Sequence, residues 1–260
     1  MTNAVREFWN QRASLGNAAG TDDLIAWELE ARAIGQYVRN GMRVLDAGCG
    51  NGRTLLRLAK SRVVVGRGID FSAEMISAAW KALPPDIDVA FSVADLREPL
   101  GTDGGFDLIY TQRALINLAS WEEQRGAILR LLGLLREGGT FVMCENSQDG
   151  LDDLNNWRSS VGLAAIVAPW HNRYLRDAEV KELAEDPHGC LLVRTEYPLS
   201  TYAFLSRVVN AVMAKDAGRN APDYDAPVNQ LALRLLAFPF PFGQNRLWVW
   251  RKATMKEEDK

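Results

Sequence analysis

Between residues 42 and 144 short apolar runs alternate with stretches of helical periodicity, and this alternation limits the fold more than any other feature. The apolar runs predict strands over 42–46, from Val63-Val64-Val65 to Ile69-Asp70, over 87–94, over Phe106–Tyr110 and over Thr140–Cys144. Helices are expected over 22–39, over 53–60 and from the cap Ser72 to about Leu83, where Pro84-Pro85 stops it. Ser120-Trp-Glu-Glu123 reads as a capping box, opening a helix that ends at Gly138-Gly139. Strands that alternate with helices form a parallel sheet covered on both faces. The expected class is therefore α/β, three-layered and doubly wound.

After residue 145 the pattern changes. Helices are expected over 151–160 and 177–185, with an irregular stretch over 161–176 between them. Cys190–Tyr197 reads as a strand, 201–215 as an amphipathic helix, and Ala217–Pro227 as a mobile loop. Residues 228–237 read as helix, and Phe238-Pro-Phe-Pro-Phe242 as neither helix nor central strand. Arg246–Arg251 is a last strand, before a polar, frayed tail over 252–260. The two late strands bring the expected sheet to seven.

Within this frame Val44-Leu45-Asp46-Ala47-Gly48-Cys49-Gly50-Asn51-Gly52 sets a glycine turn between a strand and a helix. Such turns let a nucleotide approach the backbone and the N–H groups of a helix start. The dinucleotide pattern G-x-G-x-x-G fails here, because residue 53 is Arg; that counts against a nicotinamide-dependent oxidoreductase.

Taken together, the motifs resemble the class I S-adenosylmethionine-dependent methyltransferases. Asp46–Gly52 is similar to that family's first motif, Gly68-Ile-Asp70-Phe-Ser72 to its second, and Asp95-Leu96 to its third. Phe106–Tyr110 resembles the fourth-strand motif, and Leu134–Phe141 the approach to strand five. The likeness is strong over 40–145 and rests on pattern alone over 190–252. It implies an antiparallel last strand and S-adenosyl-L-methionine as cofactor. It further implies that Asp46 with the Gly48 and Gly50 backbone holds the methionine portion, and that Asp70 accepts from the ribose hydroxyls. Asp95 and the Leu96 N–H would meet the adenine edge, with Phe71 and Met75 on its faces; Met75 reads equally well as plain core. Cys49 stands in the turn for its small size, and Thr111 follows strand four beside the same site.

The expected acceptor is a small molecule, methylated most readily at a hydroxyl oxygen. Aligning acceptor and methyl group is the main task, and a hydroxyl also needs a base. Of the two histidines, His188 sits in a surface turn, whereas His171 lies in the irregular segment near the cofactor mouth and is the base candidate, with a hydrogen-bonding structural role as its rival. Arg113 and Asn117 after strand four, with Trp170 and Tyr174, are expected to face the acceptor; Arg113 alternatively pairs with Glu122 or Glu123. The Asp/Asn-Pro-Pro-Tyr/Phe signature of base-modifying amino methyltransferases is absent. An amine acceptor, a protein or RNA acceptor, and a cofactor-binding scaffold without turnover are the alternatives.

Composition narrows the partners. The 260 residues carry 30 basic and 33 acidic side chains, a net charge of −3, so no nucleic-acid partner is expected. The three cysteines stand far apart, as reduced thiols, and no residue spacing suits a metal. No apolar span suits a membrane and the N-terminus lacks a leader-like apolar run, so the expected compartment is the cytoplasm. We expect one domain over 1–260: a helical cover over 1–40, a cofactor-binding core over 41–145, and substrate-side insertions over 146–189 and 198–245. Aromatic residues gather in the cover and insertions, as suits a lid, and such a stripe also suits a homodimer contact.

Overall fold

In the computed structural model, which describes residues 3–183, 188–219 and 223–254, a seven-stranded sheet lies between helical layers. The parallel strands are β1 (Arg43–Ala47), β2 (Val65–Asp70), β3 (Val89–Val93), β4 (Phe106–Gln112) and β5 (Leu135–Asn146). β6 (Cys190–Glu196) and β7 (Asn245–Lys252) complete the sheet in the order β3-β2-β1-β4-β5-β7-β6. β7 runs antiparallel to both neighbours, as expected.

Residue alternation explains the two cores. Leu45, Ile109, Phe141 and Met143 point to one face, and pack with Ile128, Leu131 and Leu132 of a helix over Trp121–Gly133. Val44, Leu108, Tyr110 and Val142 point to the other, against Leu55, Leu56 and Leu58 of a helix over Arg53–Ser61. Each fully buried aliphatic side chain contributes about 1.5–3 kcal/mol. In chain order the principal helices are α1 (Asn3–Arg12), α2 (Leu24–Gly35), α3 (Arg53–Ser61), α4 (Ala73–Ala82), α5 (Trp121–Gly133) and α6 (Gln148–Ser160). They are followed by α7 (Asp177–Glu182), α8 (Ser200–Phe204), α9 (Asn210–Asp216) and α10 (Pro227–Gln230).

Both expected caps form. The Ser72 hydroxyl accepts from the Met75 N–H at 3.1 Å. The Ser120 hydroxyl accepts from the Glu123 N–H at 3.3 Å, while the Glu123 carboxylate reaches one residue further back than expected, to the Ala119 N–H at 2.9 Å. Several expected boundaries move. α5 ends at Gly133 instead of Gly138-Gly139, because Leu135 already pairs with Phe106; the glycines fall where the β4–β5 register shifts. The helix expected over 201–215 is interrupted by a π-turn at Leu205–Val209. The one expected over 228–237 shortens to α10 and a single 3-10 turn, Leu231–Leu233. Of the helix expected over 177–185, residues 184 and 185 lie outside the described residues, as do 220–222 of the expected loop and 255–260 of the tail.

Successive crossovers run outward from β1 to β3 on one side and from β4 to β5 on the other. The reversal between β1 and β4 leaves a crevice at the strands' carboxyl ends, where ligands of doubly wound sheets bind.

Candidate active site

A cavity of about 430 Å³ occupies that crevice. Its floor is the glycine turn. The Gly48 and Cys49 N–H groups both donate to the Ile69 carbonyl, at 2.8 and 2.9 Å, which ties the turn to β2. Gly48 adopts φ +83°, and a Cβ there would lie 2.3 Å from that of Ala114, so only glycine fits. Gly50 also has positive φ, but its open side faces free space.

The carboxylates of Asp46 and Asp70 sit beside this turn, both buried and both lining the cavity. Asp70 accepts from the Gly50 N–H and the Ser72 N–H, each at 2.9 Å. Asp46 accepts from the Tyr110 hydroxyl at 2.7 Å. Burial pushes Asp70 up to about 6 and Asp46 up to about 7; neighbouring Asp70 adds to the Asp46 shift, and the Tyr110 hydrogen bond opposes it. Among the described residues neither makes an ion pair. Two desolvated carboxylates without a cation fit a ligand that brings positive charge, as a sulfonium and an ammonium do. Burial, with Asp46 and Asp70 nearby, pushes the Cys49 thiol well up, which opposes a thiolate there.

Phe71, Met75, Asp95 and Leu96 line the cavity further along. Met75 is held almost wholly buried at the start of α4. Asp95 takes the Arg97 side chain through two contacts, 3.1 and 2.7 Å, and has Arg6 at 3.7 Å.

The turn after β4 is held in an unusual way. Arg113 has φ +53°, the only positive value at a non-glycine among the described residues. Its guanidinium pairs with Glu30 of α2 (Nε–Oε2 3.1 Å) instead of Glu122 or Glu123. The Asn117 amide donates to the Arg113 and Ala114 carbonyls, at 2.9 and 3.2 Å, and accepts from the Trp9 indole at 3.0 Å. Glu145, fully buried near the end of β5, accepts from the backbone N–H groups of Ala114, Leu115 and Ile116 at 3.0, 3.1 and 3.3 Å. Burial pushes Glu145 up to about 7, against these hydrogen bonds.

Over the cavity lies a cover that includes His171 and Tyr174. The His171 ring stacks on Phe8 at 4.3 Å and meets Trp9 and Trp170 edgewise. Burial, with Arg12 nearby, lowers its pKa, and its Nδ1 is buried without a partner. Two expected site residues do not line the cavity. Thr111 is fully buried within the sheet, since strand alternation turns it away from the side that presents Tyr110 and Gln112. Trp170 is largely exposed and packs behind His171. His188 lies against Gly133, away from the cavity.

The cavity also contains polar residues that sequence reasoning missed. Glu30 accepts from the Gln112 amide at 2.7 Å and the Asn245 amide at 3.3 Å, and all three line the chamber. Asp23, Tyr202, Arg207 and Tyr224 line its far end. A signal existed for Glu30 and Glu145: each is a charged residue inside an otherwise apolar pattern. Arg207 gave none.

A methyltransferase-domain family model matches residues 44–139. The 27-O-demethylrifamycin SV methyltransferase of Amycolatopsis mediterranei is 32% identical over 192 residues, 69% of this chain and 67% of that one. The chain belongs to the class I S-adenosylmethionine-dependent methyltransferases. The methyltransferase spans only 40% and 31% of two further relatives, so those likenesses stop at part of each protein. Its fold matches the methyltransferase of the Haloferax volcanii Trm112 activator complex, with TM-score 0.65, 19% identity, and coverage of 97% and 99%. It also matches magnesium protoporphyrin IX methyltransferase from Synechocystis PCC 6803 with bound SAH, with TM-score 0.51, 17% identity, and coverage of 94% and 86%. S-adenosylmethionine is the methyltransferase's cofactor. No described helix is long and apolar enough to cross a membrane.

Proposed function

We propose that the methyltransferase transfers the methyl group to a hydroxyl oxygen of a small-molecule acceptor. The observation that carries this reading is the continuity of the cavity. One chamber runs from Asp46 and Asp70 to Tyr174, His171 and Tyr202, under a cover of aromatic side chains. A chamber of about 430 Å³ that must also hold the cofactor suits a compact acceptor. The relative that acts on 27-O-demethylrifamycin SV, a small molecule, supports the same class.

The cofactor supplies a methyl group on a good leaving group. The chain's own residues bind and align. Asp70 would accept from the ribose hydroxyls, and its two backbone hydrogen bonds fix the carboxylate for that task. Asp46 and the Gly48–Gly50 backbone would hold the methionine portion. Phe71 and Met75 would take the adenine faces, and Asp95 with the Leu96 N–H its edge. Arg113, Asn117 and Tyr174 border the acceptor. His171 takes the hydroxyl proton. Its lowered pKa keeps the imidazole neutral at pH 7, as a base must be, and the Phe8 stack fixes the ring plane. The aromatic cover excludes water from the transfer.

His171→Ala should cut turnover by about 100-fold while leaving adenosylhomocysteine affinity unchanged. Full activity would remove His171 from the mechanism and favour an amine acceptor, which attacks as the free base. Methyl-labelled cofactor offered with matched hydroxyl and amine compounds then separates the two acceptor classes directly.

A further inference from the structure

We propose that Arg207 anchors an acidic oxygen of the acceptor, a carboxylate or a phosphate, so that the acceptor is an anionic small molecule. The inference rests on the chamber being the acceptor site. It begins with the helix that carries Arg207. Between α8 and α9 the segment Leu205–Val209 forms a π-turn, a rare widening that recurs at functional sites. Ser206 and Arg207, adjacent in sequence, both line the chamber.

The guanidinium is incompletely satisfied. One end donates to Asp23 Oδ2 at 2.8 Å; Nη1 is buried and has no partner. The rings of Tyr202 and Tyr224 lie 5.7 and 5.0 Å from its central carbon, forming a slot with two aromatic walls. Tyr224 is itself held in place, because the Asn229 amide donates to the Tyr224 carbonyl at 3.2 Å and both Asn210 and Asn229 donate to Asp223.

Asp23 does not use up the charge of Arg207. It caps α2, accepting from the Ala26 N–H at 3.0 Å, and also accepts from the Tyr202 hydroxyl at 2.6 Å. The start of α2 adds its own partial positive charge beside Asp23. Arg158, outside the chamber lining, donates to the Arg207 carbonyl and brings a second cation near this helix. Asp23 is shared among three donors, and a planar fork with one unpartnered N–H favours an oxyanion.

The test uses the whole protein saturated with adenosylhomocysteine and titrated calorimetrically with benzoate, phenyl phosphate and uncharged benzamide. At least one anion should bind tenfold or more tightly than benzamide, and which one does so separates carboxylate from phosphate. Arg207→Gln should abolish that preference, and Arg207→Lys should keep part of it, while adenosylhomocysteine affinity stays within about twofold. Equal binding of all three probes, or no binding of either anion, would overturn the proposal in the wild-type protein, whatever the variants do. Loss of adenosylhomocysteine binding in the wild type would instead strike at the cofactor assignment.

Discussion

Asp46 and Asp70 are carboxylates held where ionisation is costly, and their protons report on what the cavity contains. Raised values mean that the folded, ligand-free protein holds more protons than the unfolded chain. Their contribution to stability is therefore complete below about pH 4 and is lost as pH rises through about 6 for Asp70 and about 7 for Asp46. A cationic ligand favours the ionised forms and reverses this balance. Binding of S-adenosylmethionine should release protons between about pH 5.5 and 7.5, and affinity should rise with pH across that window. Calorimetry in buffers of differing ionisation enthalpy measures the release; uptake, or no exchange, would contradict the burial of these groups. Asp70→Ala should weaken cofactor binding by about 1–3 kcal/mol through lost charge-assisted hydrogen bonds. Unchanged affinity would withdraw the ribose assignment.

Among the elements, β5 does more than extend the sheet. Glu145 at its carboxyl end gathers three successive N–H groups of the turn after β4, and that turn carries Arg113, Ala114 and Asn117 to the cavity. An amide there offers one acceptor oxygen and turns an NH₂ toward N–H donors. Glu145→Gln should therefore lower stability by about 1–3 kcal/mol and weaken adenosylhomocysteine binding, although Glu145 lies outside the cavity lining. Thermal unfolding with and without ligand reads both effects; an unaltered variant would show that the turn holds itself. That Asp46, Asp70 and Asp95 line one cavity was legible because they stand at fixed places along successive strand–turn–helix units. Asp70 ends β2, Asp46 stands one residue before the end of β1 and Asp95 two residues past β3, so local order predicts their meeting. Glu30, Gln112 and Asn245 come from α2, β4 and β7, and no spacing rule links them. Thr111 was misplaced by one residue of strand alternation. Trp170 and His171 lie in an irregular stretch that has no period from which to tell inward from outward. The end of α5 was misread because two glycine signals compete, and the pairing of Leu135 with Phe106 decides between them.

Across the whole molecule, the N-terminal segment ties the two halves together. The Asn51 amide of the glycine turn donates to the Gly16 carbonyl at 2.7 Å, and the Trp9 indole reaches Asn117 beyond β4. Ligand bound beneath this segment should hold it in place. Saturating adenosylhomocysteine at 100 times its Kd should add about 2.7 kcal/mol of stability. Removing α1 should reduce that gain, and differential scanning calorimetry of the two chains compares them.

The stack of Phe8, Trp9 and His171 also has a kinetic consequence. Spent cofactor that leaves past α1 would have to wait for that helix to lift. The frequency of lifting would then set an upper limit on turnover for every acceptor, fast or slow. Trp9, whose indole would lose its Asn117 partner on such a movement, supplies an intrinsic fluorophore for timing that step by stopped flow. Product release much faster than any Trp9 signal would place the exit elsewhere.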